Sequence, residues 1–196
     1  MSITKLHLAE ELFQNHGPVL KGGFLRQHGI YSRVLEQLTW EGHLSRPKNG
    51  YYTWNAAIDN ISDIEVATKL VPIGIVCLQS AAMLYDLSTV NTTAITIAIP
   101  SNRTRVALPD HPPIKLLTYP AKSFELGVSK LEGVRVYDRE RTVCDFIRKR
   151  KQLGNDLMLE VLRSYMRGSR NLQKLFEYAE KLRVKSIIMP YVEALL

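Results

Sequence analysis

The segment from Gly29 to Trp54 joins an amphipathic helical pattern to a hairpin signal, which limits the folds open to the N-terminal part of the chain. Gly42 predicts the end of the helix, since glycine adopts the left-handed C′ conformation without a steric penalty. Two short strands are predicted over 44–47 and 51–54, with a tight turn at Asn49-Gly50. The helix is expected to bury one apolar stripe, formed by Ile30, Val34, Leu35 and Leu38.

A polar-faced helix that leads directly into a basic hairpin is the plan of a winged helix-turn-helix. Two helical segments precede it, a regular one over 3–15 and a poorer one over 19–28, so the predicted domain covers residues 1–58. In this plan the helix enters the major groove of double-stranded DNA and the wing contacts the flanking backbone. The residues expected to bind DNA are Tyr31, Ser32, Arg33, Gln37, Arg46 and Lys48.

The charge distribution qualifies this prediction. The chain carries a net charge of +7, which favours an acidic partner such as nucleic acid. Residues 1–60 contain six Lys or Arg against five Asp or Glu, so this part contributes only +1. Most of the positive charge is therefore expected downstream of the winged helix.

Cysteine usage and hydropathy indicate a cytoplasmic protein. Cys77 and Cys144 each lie in an apolar helical pattern, where core packing is the expected role, and no disulfide framework is indicated. The N-terminus lacks the apolar core of a signal peptide, and no apolar run is long enough to predict a membrane span.

Residues 59–196 predict a second domain that mixes a small sheet, over about 94–137, with helices, so the fold class is α+β. Strands are predicted over 94–100, 114–119 and 134–137, the first half-buried with Ile95, Ile97 and Ile99 on one face. One helix is predicted to run through Leu70 from a cap at Asp63 or Ser62, and others over 76–87 and from a cap at Asp138 to about 153. Three helical segments of the tail are expected to cover the sheet.

Two groups of basic residues in this domain are candidate contacts for phosphate or an acidic partner. Arg103 and Arg105 lie in a polar loop after the first strand, where an exposed loop is the alternative. The run Arg148, Lys149, Arg150 and Lys151 ends a helix, where cations also complement the helix dipole.

No catalytic constellation is specific enough to predict an enzyme, a metal or a cofactor. The histidines lack metal-ligand spacing, and no phosphate-binding GxxxxGK motif occurs. Asp138, Glu140 and Asp145 cluster beside Arg139 and Arg141, which favours ion pairing over metal binding. Two alternatives stay open: a metal-dependent nuclease or nucleotide-modifying enzyme directed to DNA by the winged helix, and a pure protein-interaction module.

Three segments together resemble the AbiEi-type antitoxins of type IV toxin–antitoxin systems, which act in abortive infection, a phage defence. They are GIYSRVLEQLTWEGHLSRPKNGYY, CLQSAAMLYDL and VYDRERTVCDFIR, and in order and spacing they span most of residues 10–150. The family's E-R-T-x-x-D pattern falls here on Arg141, Thr142 and Asp145, whose implied role is architectural.

The resemblance implies two functions. The N-terminal domain would bind inverted repeats in its own promoter and repress transcription. Tight binding to such a palindrome usually needs two copies, so self-association on the DNA is expected. The C-terminal domain would counteract a nucleotidyltransferase-type toxin encoded alongside, without a stable complex. The winged helix here is only weakly basic, so positive charge in the second domain would help to hold bent DNA.

Overall fold

The structure, a computed structural model, describes residues 3–58, 61–90, 92–102 and 107–196. It is a mixed α+β protein with two small sheets. The chain divides into two compact units, residues 1–72 with 105–114 and residues 73–104 with 115–196. The helix Asp63–Leu70, which the sequence-based division assigned to the second domain, lies in the first unit.

The first unit packs short helices around a three-stranded antiparallel sheet of order β1-β3-β2. The predicted first helix, central helix and hairpin are all present. The poorer helix predicted over 19–28 is wrong at its start, because Val19–Lys21 is a strand paired with β3. The elements are α1 (Ile3–His16), β1 (Val19–Lys21), α2 (Gly22–Gln27), α3 (Ser32–Trp40), β2 (Leu44–Lys48), β3 (Tyr51–Trp54), α4 (Asn55–Ile58) and α5 (Asp63–Leu70).

Helix α3 is held by its apolar stripe and stopped by a glycine. Ile30, Leu35 and Leu38 are buried in the core of the first unit, as predicted, and Val34 is half-buried against it. Gly42 has φ +80° and its amide donates to the Thr39 carbonyl, while the His43 amide donates to Leu38. These two bonds form a Schellman motif, which directs the chain from α3 straight into β2.

The second unit packs helices against a five-stranded sheet of order β6-β5-β4-β8-β7. β4 runs antiparallel to β5 and parallel to β8. The elements are β4 (Ile75–Val76), α6 (Leu78–Leu84), β5 (Ile95–Pro100), β6 (Ile114–Tyr119), β7 (Val128–Leu131), β8 (Val134–Tyr137), α7 (Arg139–Leu153), α8 (Asn155–Arg167), α9 (Leu172–Lys181) and α10 (Lys185–Glu193).

The sheet differs from the sequence-based prediction around its centre. The helix predicted over 76–87 begins later, at Leu78, because Ile75–Val76 is a strand between β5 and β8. β5 is buried along most of its length instead of on one face, since strands flank it on both sides and α6 packs on it. There Ser80 Oγ accepts the Thr96 amide at 2.9 Å, which gives this hydroxyl a structural role. The short strand β7 was not predicted.

Helix α7 organises the second unit. Asp138 caps it as predicted, accepting the Arg141 amide at 2.8 Å. Its apolar face, with Val143, Phe146 and Ile147, packs against α8, α9 and α10 in the largest core of the chain. Cys77 and Cys144 are both buried and free. No helix among the described residues has the length and apolar character to cross a membrane.

Candidate functional site

The exposed side of α3 presents a row of side chains away from the core. Arg33, Gln37 and Trp40 follow the i, i+4, i+7 spacing that places residues on one side of a helix. Arg33 is exposed and forms no ion pair with a described residue, whereas Gln37 donates to Glu41 Oε1 at 2.9 Å. Tyr31, 64% exposed, and Ser32 stand at the beginning of the helix. Arg33 is thus free to contact a partner, while Gln37 would first have to release Glu41.

Trp40 is the residue of this row that sequence reasoning missed. Its side chain is 88% exposed, and tryptophan is enriched at binding interfaces, where its apolar ring and its N–H both find partners. The missed signal was its spacing of seven from Arg33, which puts it outside the buried stripe.

The two basic residues predicted on the hairpin have different surroundings. Arg46 is exposed, donates to Asn49 Oδ1 and has its guanidinium carbon 6.0 Å from the Tyr52 ring centroid. Lys48 Nζ instead donates to the Leu70 and Ala107 carbonyls. It also lies 4.4 Å from the Tyr51 ring centroid. Burial, with a contribution from Lys21, lowers the pKa of Lys48. Arg46 is available to a partner, while Lys48 is engaged within the first unit.

Of the basic residues predicted in the second domain, the run that ends α7 lies within the described residues. Arg103 and Arg105 lie outside the described residues. Of the run that ends α7, Arg148 is exposed and lines a cavity of about 460 Å³. Arg150 donates to the Ile147 carbonyl at 3.0 Å, Lys149 is half-buried and Lys151 is exposed.

The residues of the E-R-T-x-x-D pattern lie in the interior of the second unit. Arg141 is 0% exposed, and its Nε donates to Asp145 Oδ2 at 3.0 Å. Its Nη1 donates to two carbonyls of the turn after β6, Ser123 at 2.8 Å and Leu126 at 2.6 Å. Thr142 Oγ1 donates to the Tyr137 carbonyl at 3.2 Å. These bonds fasten α7 to the sheet and to the turn, as an architectural role requires.

The electrostatics of this cluster favour an ion pair over reactive groups. Burial raises the pKa of Asp145 to about 6, against the opposing effect of Arg141, so the carboxylate is ionised at neutral pH. Burial also raises the pKa of the Cys77 thiol and of the Tyr119 phenol, which stay neutral. Arg141 Nη2 and Asp145 Oδ1 have no hydrogen-bond partner in the described part of the chain, while the Arg141 guanidinium carbon lies 4.2 Å from the Tyr137 ring centroid.

The other two acids of the predicted cluster pair across helices instead of with neighbouring arginines. Asp138 Oδ2 and Glu140 Oε2 lie 3.0 and 3.2 Å from Lys174 Nζ of α9. Partial burial acts to lower the pKa of Lys174, but its bonds to these carboxylates raise it overall. Arg139 donates to the Tyr85 carbonyl at 3.1 Å. Within the described ranges, no group of three His, Cys, Asp or Glu residues has the placement to hold a metal ion.

We expect Gly127→Ala to lower the free energy of unfolding by about 2–4 kcal/mol. Gly127 has φ +75°, and an added Cβ would lie 2.6 Å from Arg141 Cβ and 3.0 Å from the Tyr178 ring. Gly133→Ala is the matched control, because Gly133 has φ +82° with nothing within 4 Å of an added Cβ. Urea unfolding of both variants separates the steric clash with Arg141 and Tyr178 from the strain of placing alanine at a positive φ. An equal loss of unfolding free energy in the two variants would contradict the close packing of Arg141 against Gly127.

Comparisons with known proteins give a likeness of fold. No protein-family model and no curated protein matches the chain. Among solved structures, the chain is similar to the crystal structure of the RV2827C protein from Mycobacterium tuberculosis, with a TM-score of 0.51 and 15% sequence identity. The match covers 91% of this chain and 76% of that chain. At this identity the similarity concerns the fold alone.

Proposed function

We propose that the first unit is a winged helix-turn-helix and that the protein is an antitoxin that represses its own operon. The observation that carries the DNA-binding half is the exposed row on α3, opposite the buried stripe and followed by a hairpin with an exposed arginine. A helix of this kind can lay its polar face in the major groove while the hairpin contacts the backbone.

Different residues of the first unit have different tasks in this proposal. Arg33, at the beginning of α3, reads a base edge, for which the two-pronged donor pattern of guanidinium suits guanine. Tyr31 and Ser32 contact bases or phosphates next to Arg33. The Gln37 amide releases Glu41 and forms a hydrogen bond with a base edge instead. Arg46 contacts the phosphate backbone as the wing. Lys48 has no DNA contact in this proposal, because its ammonium already donates to the Leu70 and Ala107 carbonyls.

The antitoxin half rests on the resemblance of the three segments to AbiEi-type proteins. In this proposal the second unit counteracts a nucleotidyltransferase-type toxin without forming a stable complex with it. Two copies of the chain occupy the inverted repeats of the promoter. The acids on which a nuclease would depend are held by Lys174 and Arg141, so they offer no support for the enzymatic alternative.

Trp40 provides the test of DNA binding. Titration with a duplex carrying the inverted repeat upstream of the gene is expected to quench Trp40 fluorescence, because its exposed indole lies on the proposed contact face. Trp54, 8% exposed, is expected to change little. A scrambled duplex of equal length should bind more weakly, and Trp40→Phe should remove the signal.

Two results would contradict the proposal. Equal affinity for the repeat and the scrambled duplex would exclude sequence-specific repression. Specific binding without any change in Trp40 fluorescence would place the DNA elsewhere than on α3.

A further inference from the structure

Three separate segments of the second unit converge on one cavity of about 460 Å³. The turn after β6, the last part of α7 and the end of α9 each contribute a basic side chain to its lining. None of the acidic residues that the structure describes lines it. The basic lining residues are Lys122, Arg148, Lys181 and Arg183, and the others are Pro120, Ser123, Leu126 and Leu182.

The positive charge of this cavity is only partly compensated, because Arg148 interacts with the buried Asp145 and lowers the pKa of its carboxyl. All four cations are exposed, and none forms an ion pair with a described acid. Other cations of the same unit do have partners: Lys174 binds two carboxylates, Lys185 binds Glu180 and Arg135 binds Glu125. The four cavity cations repel one another, so an anion placed among them is stabilised.

Arg183 occupies a backbone position that normally belongs to glycine. It has φ +60° at the C′ position of α9, where its amide donates to Glu180 and the Val184 amide donates to Ala179. Glycine is usual in this motif because a side chain strains the left-handed conformation. Such strain concentrates at functional sites, and here the strained residue puts a guanidinium in the lining of the cavity.

The buried Arg141 ties the walls of the cavity together. Its Nη1 binds the carbonyls of Ser123 and Leu126, which both line the cavity. The turn that carries Lys122 is therefore fastened to α7, the helix that carries Arg148. This arrangement fixes the backbone segments that carry two of the cations relative to one another, which reduces the ordering cost of binding.

We propose that this cavity binds the polyphosphate chain of a nucleoside triphosphate. Cations from three segments surround one concave site, which suits a compact anion better than the extended backbone of a duplex. The volume lies in the range of small-ligand sites, and Pro120, Leu126 and Leu182 offer apolar surface to a base. The site belongs to the second unit and does not depend on the proposed operator binding.

Isothermal titration of the full chain with ATP, GTP and inorganic tripolyphosphate tests this proposal. We expect one binding site per chain and an affinity that falls as salt rises. Arg183→Gly should weaken binding by at least about tenfold, as expected for loss of a charge-assisted contact. The same variant should keep or raise the thermal midpoint, because glycine relieves the left-handed backbone.

Control variants make each outcome decisive. Arg163→Gln removes one exposed charge of α8 outside the cavity lining and should leave affinity within about threefold, because solvent and salt screen an exposed charge that does not contact the ligand. Lys122→Gln repeats the test at a second exposed cation and should also weaken binding. No binding of any of the three ligands, or equal affinity in Arg183→Gly and the unaltered chain, would overturn the proposal. So would binding of a random duplex at this site with no binding of ATP.

Discussion

Asp145→Ala is expected to lower the free energy of unfolding of the second unit by about 3–5 kcal/mol, because it leaves the Arg141 guanidinium buried without its counter-ion. Both side chains of the pair are at most 1% exposed, so bulk water does not solvate the guanidinium. Arg141 would keep its two bonds to the turn after β6, but these neutral acceptors do not balance its charge. Urea unfolding followed by far-ultraviolet circular dichroism measures the loss.

A double substitution separates the charge effect from packing. Arg141→Met with Asp145→Leu removes both charges and keeps apolar volume, so the double variant should be clearly more stable than Asp145→Ala alone. Asp145→Asn, which keeps one acceptor for Arg141 Nε, should fall between Asp145→Ala and the unaltered protein. A loss below about 1 kcal/mol in Asp145→Ala, the range of exposed pairs, would contradict a buried ion pair.

Arg33→Ala is expected to weaken binding to the operator by about tenfold to hundredfold, the usual effect of removing a two-pronged contact to a base. The affinity for scrambled DNA should change far less, so the ratio of operator affinity to scrambled-duplex affinity falls. Arg46→Ala should instead weaken both duplexes alike and reduce the salt dependence, as the loss of a phosphate contact does. Fluorescence titrations at several salt concentrations measure both effects.

Lys48→Ala is the control for these variants. Since Lys48 holds Leu70, Ala107 and the Tyr51 ring together, its loss should lower the stability of the first unit. The salt dependence of DNA binding by Lys48→Ala should match that of the unaltered chain. A reduced salt dependence would mean that Lys48 contacts a DNA phosphate, which would contradict its assignment to contacts within the first unit.

The Arg33→Ala variant also separates the two halves of the proposed function. Cells that express the neighbouring toxin should be rescued by the Arg33→Ala chain supplied from an unrelated promoter, because toxin neutralisation is assigned to the second unit. The operon's own promoter should lose repression in that strain. Failure of the unaltered chain to rescue would contradict the antitoxin half and leave DNA binding to be judged by titration.

Local patterns were enough for much of the fold. The α3 stripe, the Gly42 stop and the β2–β3 hairpin depend on neighbours within a few residues, and the structure has all three. The cap at Asp138 and the three tail helices were predictable for the same reason. β4 was not, because a two-residue strand has no periodicity and exists only through its neighbours in the sheet.

The sequence by itself determined the α+β class, the polar face of α3 and the i, i+4 spacing of Arg141 and Asp145. Only the tertiary structure decided which charges are free. In the structure, Lys48 donates to backbone carbonyls of the first unit, whereas Arg46 and Trp40 are exposed. Asp138 and Glu140 both form ion pairs with Lys174 of α9. The tertiary structure also brought the cavity cations together from three separate segments. The physical reason is that side-chain partners depend on distance in space, which local periodicity does not specify.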